Sequence, residues 1–216
     1  MKKFILIMLA TVLTVGYAQA QFKIGGRVGL TFTSVWGSAV PKAVLEKDSD
    51  VESLLGVQAG IVAEYNFSKN FAIQPAVLFA TQGYATREKV DNRELLMNFN
   101  LNYIQMPVNL MFKAGSRNVK FILYTGPYVG YALNGKWKKE YSEDEKVTQT
   151  QKETIEFADD EIKRLDVGAG LGLGVQVKAM QIAVGYNLGL MNLSSSSEAN
   201  FKNQSLGLTL SFLFGK

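Results

Sequence analysis

From Leu165 every odd position up to Val177 is apolar, while Asp166, Gly168, Gly170, Gly172, Gly174 and Gln176 lie between. After Ala179-Met180 the alternation resumes, with Ile182, Val184, Tyr186, Leu188 and Leu190 against Gln181, Ala183, Gly185, Asn187 and Gly189. A period of two sends successive side chains to opposite faces, so this stretch is a hairpin of two long β-strands. The same pattern predicts strands at about 22–33, 54–67, 71–84, 98–113 and 119–134, and a last one carrying Leu206 to Phe214. That makes eight.

One strand breaks step. Asn98, Asn100 and Asn102 alternate with Phe99, Leu101 and Tyr103, after which the apolar series moves to Ile104, Met106, Val108, Leu110 and Phe112. One inserted residue would cause such a shift, so a β-bulge is predicted near Tyr103–Pro107, where Pro107's missing N–H is tolerated. Pro75 and Pro127 fall inside other predicted strands and argue mildly against a sheet without free edges.

The connections alternate in length. Short turns at Ser68-Lys69-Asn70, Ala114–Asn118 and Ala179-Met180 separate long loops at 34–53 and 135–161 and medium ones at 85–97 and 191–203. Short turns on one side and long loops on the other are the habit of outer-membrane barrels. The fold class predicted is therefore all-β, an eight-stranded antiparallel up-and-down transmembrane β-barrel over residues 21–216.

A water-soluble barrel alternates too, so the polar face must decide which medium lies outside. Along strands one, six, seven and eight that face is dominated by glycine and carries few charges, unlike a water-washed surface. Small residues suit the crowded inside of a narrow barrel. The opposite face carries no charge, as lipid requires. Aromatic girdles are predicted from Tyr65, Phe67, Phe71, Phe112, Phe121 and Phe214 at the inner ends, and from Phe32, Phe99, Tyr131 and Trp137 at the outer ends.

The first residues agree. Met1-Lys2-Lys3, an apolar run from Phe4 to Val15 and Ala18-Gln19-Ala20 form a secretory signal peptide over 1–20, too short to span a bilayer. Export to the bacterial outer membrane follows. Loss of Lys2 and Lys3 lowers the formal charge from +4 to +2, and the basic residues form no single patch, so nucleic acid is not a predicted partner. With no cysteine, the exported chain relies on its hydrogen-bonded framework rather than on disulfides.

Certain fragments recur in order along the chain: Gly25-x3-Gly29-Leu30, Gly56-x3-Gly60, Gln74-Pro75, Tyr103-Ile104-Gln105-Met106-Pro107, Gly126-Pro127-Tyr128-Val129-Gly130, Asp166-Val167-Gly168-Ala169-Gly170 and Tyr186-Asn187-Leu188-Gly189-Leu190. Together they resemble the PorT-like outer-membrane β-barrel family across essentially all of residues 21–216. The resemblance implies an outer-membrane barrel. The family's founding member is linked to protein secretion, and its pattern offers no catalytic residues to carry over.

Candidate chemistry is sparse. The chain has no histidine, which removes the general base of the known barrel proteases, phospholipases and lipid A hydrolases. Ser194–Ser197 lacks a nucleophile's context, and the Gly168–Gly174 repeat lies within a strand and precedes no helix, so it is not a phosphate loop. Glu143-Asp144-Glu145 and Asp159-Asp160-Glu161 carry interspersed or neighbouring lysine and no calcium-loop glycine, so they read as solvated loop. No catalytic residue, metal or cofactor is predicted.

Arg27, Glu64, Arg164 and Asp166 fall on the inward face, where buried charges must pair, and are predicted to plug the lumen. The reading is a non-enzymatic barrel that contacts lipid through its wall, and extracellular or envelope proteins through loops 34–53, 135–161 and 191–203. The alternative is an accessory role in envelope assembly or secretion through the periplasmic side; a narrow solute pore comes third.

Overall fold

A computed structural model describes residues 21–39, 50–90, 93–143, 146–154, 162–194 and 200–215. The predicted signal peptide at 1–20 lies outside them, as do residues 155–161 with the second acidic cluster. The strands are β1 (Phe22–Ala39), β2 (Asp50–Tyr65), β3 (Phe71–Val90), β4 (Arg93–Gly115), β5 (Val119–Glu143), β6 (Lys146–Thr154), β7 (Leu165–Val177), β8 (Met180–Gly189) and β9 (Asn200–Phe214).

Eight of them close a ring in the order β4-β3-β2-β1-β9-β8-β7-β5, with β4 pairing back onto β5. All pairings are antiparallel. The seam joins the first strand to the last, from Ile24↔Phe214 onward. Every backbone group in the wall thus has a neighbour on both sides, which is what allows a sheet to stand in hydrocarbon.

Parity sorts the side chains as predicted. Val28, Leu30, Leu171, Leu173, Ile182, Val184, Leu206 and Leu208 are exposed outward, while Gln58, Gln74, Asp166, Gln181 and Ser211 are buried inward. Phe67 stacks on Phe71 at 6.2 Å, and Phe71 tilts against Phe112 at 5.4 Å, forming part of an outward aromatic strip at the short-turn end.

Three expectations need correction. The 85–97 and 135–161 connections are largely strand: β3 runs to Val90, β4 starts at Arg93, and β5 continues to Glu143. Likewise β1 and β2 reach into 34–53 from both sides, and β9 begins at Asn200 within 191–203. β6 pairs with the far half of β5, from Lys136↔Thr154 to Glu143↔Lys146, outside the ring. In β6 Gln149, Thr150, Gln151 and Lys152 are all exposed, so no two-faced pattern marks it as a strand.

The bulge is also misplaced. The β3–β4 register is unbroken from Phe71↔Phe112 to Val90↔Arg93, so β4 carries no inserted residue. Against β5 the register shifts between Asn102↔Asn134 and Tyr103↔Ala132, so the extra residue is Leu133 on β5. On β4 the odd residues face inward throughout, with Met97, Leu101, Tyr103, Gln105, Asn109, Met111 and Lys113 all buried. The phase reversal in the sequence comes from a change of medium, not of backbone: below Tyr103 the outside is apolar, above it the outside is asparagine.

The prolines interrupt the ladder locally without moving it. The registers on either side of Pro75, Pro107 and Pro127 (Val62↔Ala76 with Tyr65↔Ile73, Pro75↔Val108 with Leu78↔Gln105, Pro107↔Tyr128 with Leu110↔Thr125) are in step.

Candidate functional site

The inward side chains form three layers. The lowest lies near the short turns. Glu64 on β2 and Lys113 on β4 form an ion pair at 2.5 Å with side chains 0% and 2% exposed. Asn66 Nδ2 donates to the same carboxylate oxygen, Oε1, at 3.2 Å, and Lys113 Nζ donates to Asn66 Oδ1 at 3.2 Å. The other oxygen, Oε2, accepts from Gln74 Nε2 at 3.1 Å and Gln181 Nε2 at 2.8 Å. Strands β2 and β8 are not neighbours in the ring, so the Gln181 bond crosses the lumen.

Arg27 joins this layer from β1. Its Nη2 donates to Gln74 Oε1, and its Nε donates to Ser211 Oγ at 2.9 Å. Gln74 thus stands between the guanidinium and the Glu64 carboxylate and bonds to both. A buried charge left without a partner costs several kcal/mol, roughly 3–5 for breaking such a pair, which explains why each lone pair of Glu64 is spoken for.

The middle layer is built of glycine and tyrosine. A Cβ on Gly172 would stand 2.3 Å from Tyr124 Cζ, and one on Gly185 2.0 Å from Tyr124 Oη. A Cβ on Gly168 would fall 2.5 Å from Tyr128 Cε1. The glycine run of β7 is therefore the cradle into which the tyrosines of β5 lie flat.

The upper layer holds Asp166, fully buried, whose Oδ2 accepts from Asn203 Nδ2 at 2.9 Å and Tyr128 Oη at 3.3 Å. Above it the interior turns apolar. Leu101, Tyr103 and Ala132 cluster with Phe99, Trp137 and Ile162, and Val35, Tyr84, Leu193 and Phe201 form a second cluster. Phe99 stacks on Tyr84 at 4.8 Å. Phe99 and Trp137 therefore pack on these interior clusters and do not belong to an outer girdle, whereas Phe32 and Tyr131 do point outward.

Of the four predicted lumen charges, Arg27 and Glu64 meet through Gln74, and Asp166 is buried in a separate layer. Arg164 is exposed; its Nη1 donates at 3.2 Å to the carbonyls of both Ala132 and Leu133, across the bulge. It lies just before β7, where the strand parity no longer applies. Lys113, the partner of Glu64, was missed because it is the last residue of the predicted strand 98–113, beside the short turn. An unbroken odd series from Gln105 through Asn109 would have found it.

A closed antiparallel ring with an apolar exterior and polar side chains turned inward defines a transmembrane β-barrel of the outer-membrane type. The chain belongs to the outer membrane protein beta-barrel domain family, whose profile matches residues 17–195. It is a small barrel protein of the bacterial outer membrane. No curated protein matches it.

Among solved structures, the chain is similar to Ail, the attachment invasion locus protein of Yersinia pestis, in complex with the heparin analogue sucrose octasulfate: 15% identity, TM-score 0.43, covering 90% of this chain and 99% of Ail. Neisserial surface protein A is 14% identical with TM-score 0.44, covering 89% and 97%. OprG from Pseudomonas aeruginosa is 10% identical with TM-score 0.36, covering 92% and 98%.

Proposed function

We propose that this barrel is a non-enzymatic recognition protein, with a closed lumen and its working surface outside the membrane. The observation that carries the reading is the sheet formed where β3, β4, β5 and β6 continue past the lipid band. Its outer face presents Asn100 and Lys136 to water, and Asn102 Nδ2 donates to Asn134 Oδ1 at 2.7 Å across that face. Among the described residues β6 pairs on one edge alone, so its other edge offers unpaired backbone groups to an extended partner.

Two features support a closed lumen. The Glu64 layer crosses the barrel near the short turns, and the apolar clusters fill its opposite end. An eight-stranded ring has an interior just wide enough for side chains. The absence of histidine supports the non-enzymatic reading. The ordered fragments from Gly25 to Leu190 support a PorT-like kinship within the family, and the Lys2-to-Ala20 pattern supports cleavage after Ala20.

The test separates wall from sheet. Replacing residues 138–158 by a short Gly/Ser link removes the end of β5 and all of β6 while leaving the ring pairings of β5 with β7 intact. The trimmed protein is expected to insert, to migrate faster unheated than boiled, and to lose the proteins captured by surface cross-linking of intact cells. Unchanged capture by the trimmed form would refute external recognition. In planar bilayers neither form should conduct; steady single-channel currents from the intact barrel would put the pore reading in its place.

A further inference from the structure

Charge is divided unevenly between the two ends of the barrel. Both described ends of the chain and the three short turns lie at one end, which in outer-membrane barrels is the periplasmic one. Among the described residues that end holds Lys23, Lys69, Lys113, Arg117, Lys120 and Lys178, against the single carboxylate of Glu64. That carboxylate is already saturated by Lys113, Asn66, Gln74 and Gln181. The other five cations have no described carboxylate in ion-pair reach.

Their directions matter more than their number. Lys23 lies on the inward parity of β1, between outward Phe22 and Ile24; Lys120 lies on that of β5, between outward Val119 and Phe121. Lys113 lies on the same inward face of β4 at this end, so all three lysines belong to one mouth. Lys69, Arg117 and Lys178 sit exposed on the three turns around it. At the same level the lipid-facing positions are taken by Phe67, Phe71, Phe112, Phe121 and Phe214. Lys23 and Lys120 therefore face into the mouth, and the three turn cations stand exposed on its rim.

We propose that the periplasmic mouth is a docking site for an extended acidic segment of a periplasmic protein, whose Asp and Glu side chains pair with Lys23, Lys120 and the cations of the turns. A single small anion would engage one or two of these groups; a chain of carboxylates matches a crown spread over β1, β5 and three turns. Walls of low dielectric focus the field of such a crown and draw an acidic partner in. The site lies at the opposite end from the external sheet, so it stands or falls independently of the recognition reading.

The experiment uses the full barrel in phosphatidylcholine nanodiscs and a short fluorescent Asp/Glu peptide followed by anisotropy. Saturable binding that weakens with added salt is expected. Lys23→Glu/Lys120→Glu, and separately Lys69→Glu/Arg117→Glu, should each weaken it by about tenfold or more, whereas Lys136→Glu/Lys152→Glu at the other end should leave it unchanged. Heat-shifted migration checks that each variant is folded; if the inward pair fails to fold, the turn variant decides. The proposal is overturned by absence of binding, by binding retained in both mouth variants, or by loss in the outer-end variant. Displacement by equimolar inorganic phosphate would reassign the crown to a small anion, and loss of peptide binding on doping the discs with phosphatidylglycerol would reassign it to lipid; either overturns it too.

Discussion

The lower and upper parts of strands β4 and β5 obey opposite rules on one continuous backbone. Around Met111 and Ile122 the outside is Leu110, Phe112, Phe121 and Leu123, and the neighbouring interior holds Asn109, Lys113 and Tyr124. Above Tyr103 the outside is Asn100, Asn102 and Lys136, and the interior is Leu101, Phe99 and Trp137. Strand β4 keeps its period of two throughout and β5 breaks it once, at Leu133; what reverses is the meaning of each face. A barrel wall in lipid is built inside-out, and the same wall risen into water is built like an ordinary soluble protein. The reversal on β4 between Asn102 and Ile104 thus marks the water line.

The largest effect expected from breaking this division concerns the polar interior. Lys113→Ala leaves the Glu64 carboxylate buried without its cation, at a cost of roughly 3–5 kcal/mol. Adding Glu64→Gln should recover much of it. Urea unfolding in lipid vesicles reads both; a single variant no worse than the double would mean that the pair does not carry the lower layer.

Next comes the outer surface. Leu171→Arg places a charge in hydrocarbon and should cost roughly 2–4 kcal/mol. Asn100→Arg, outward but above the water line, should stay within about 0.5 kcal/mol. Equal losses in the same unfolding assay would erase the boundary.

A smaller loss is expected in the middle layer. Gly172→Ala drives a methyl against the Tyr124 ring and the Val184 carbonyl, an overpacking costing roughly 1–3 kcal/mol. Tyr124→Leu in the same chain should relieve part of it, since the far end of the ring is the nearest obstacle. An additive double variant would show that ring and glycine do not interlock.

The smallest effect belongs to Tyr103, whose hydroxyl is buried without a hydrogen-bond partner among the described residues. Tyr103→Phe removes a desolvated polar group from an apolar cluster and should change stability by less than about 1 kcal/mol, toward gain. A clear loss, seen as a lower denaturation midpoint, would reveal a partner for that hydroxyl and shift the polar interior upward.

The ring was legible in the sequence because a wall between lipid and a polar interior has strictly two faces, and Leu165–Val177 displays both without interruption. The external sheet was not, because Gln149, Thr150, Gln151 and Lys152 of β6 meet water on either face and leave no period to read. Glu64 and Arg27 could be placed from parity alone. So could Lys113, on the face opposite Ile104–Phe112, whereas Phe99 and Leu101 could not, once a change of medium had been taken for an inserted residue. The match between the β7 glycines and the β5 tyrosines depends on the register Tyr124↔Gly172 and Tyr128↔Gly168, which only strand pairing supplies.

The seam between β1 and β9 governs when this protein can come into being. Its pairs run from Ile24↔Phe214 to Ala39↔Asn200, joining the first described strand to the last. Until β9 arrives, β1 and β8 each present a row of bare amide and carbonyl groups that hydrocarbon cannot hydrate. Contacts between such distant parts of a chain also form slowly. The ring is therefore complete only when the fifteen residues of β9 have paired with both β8 and β1.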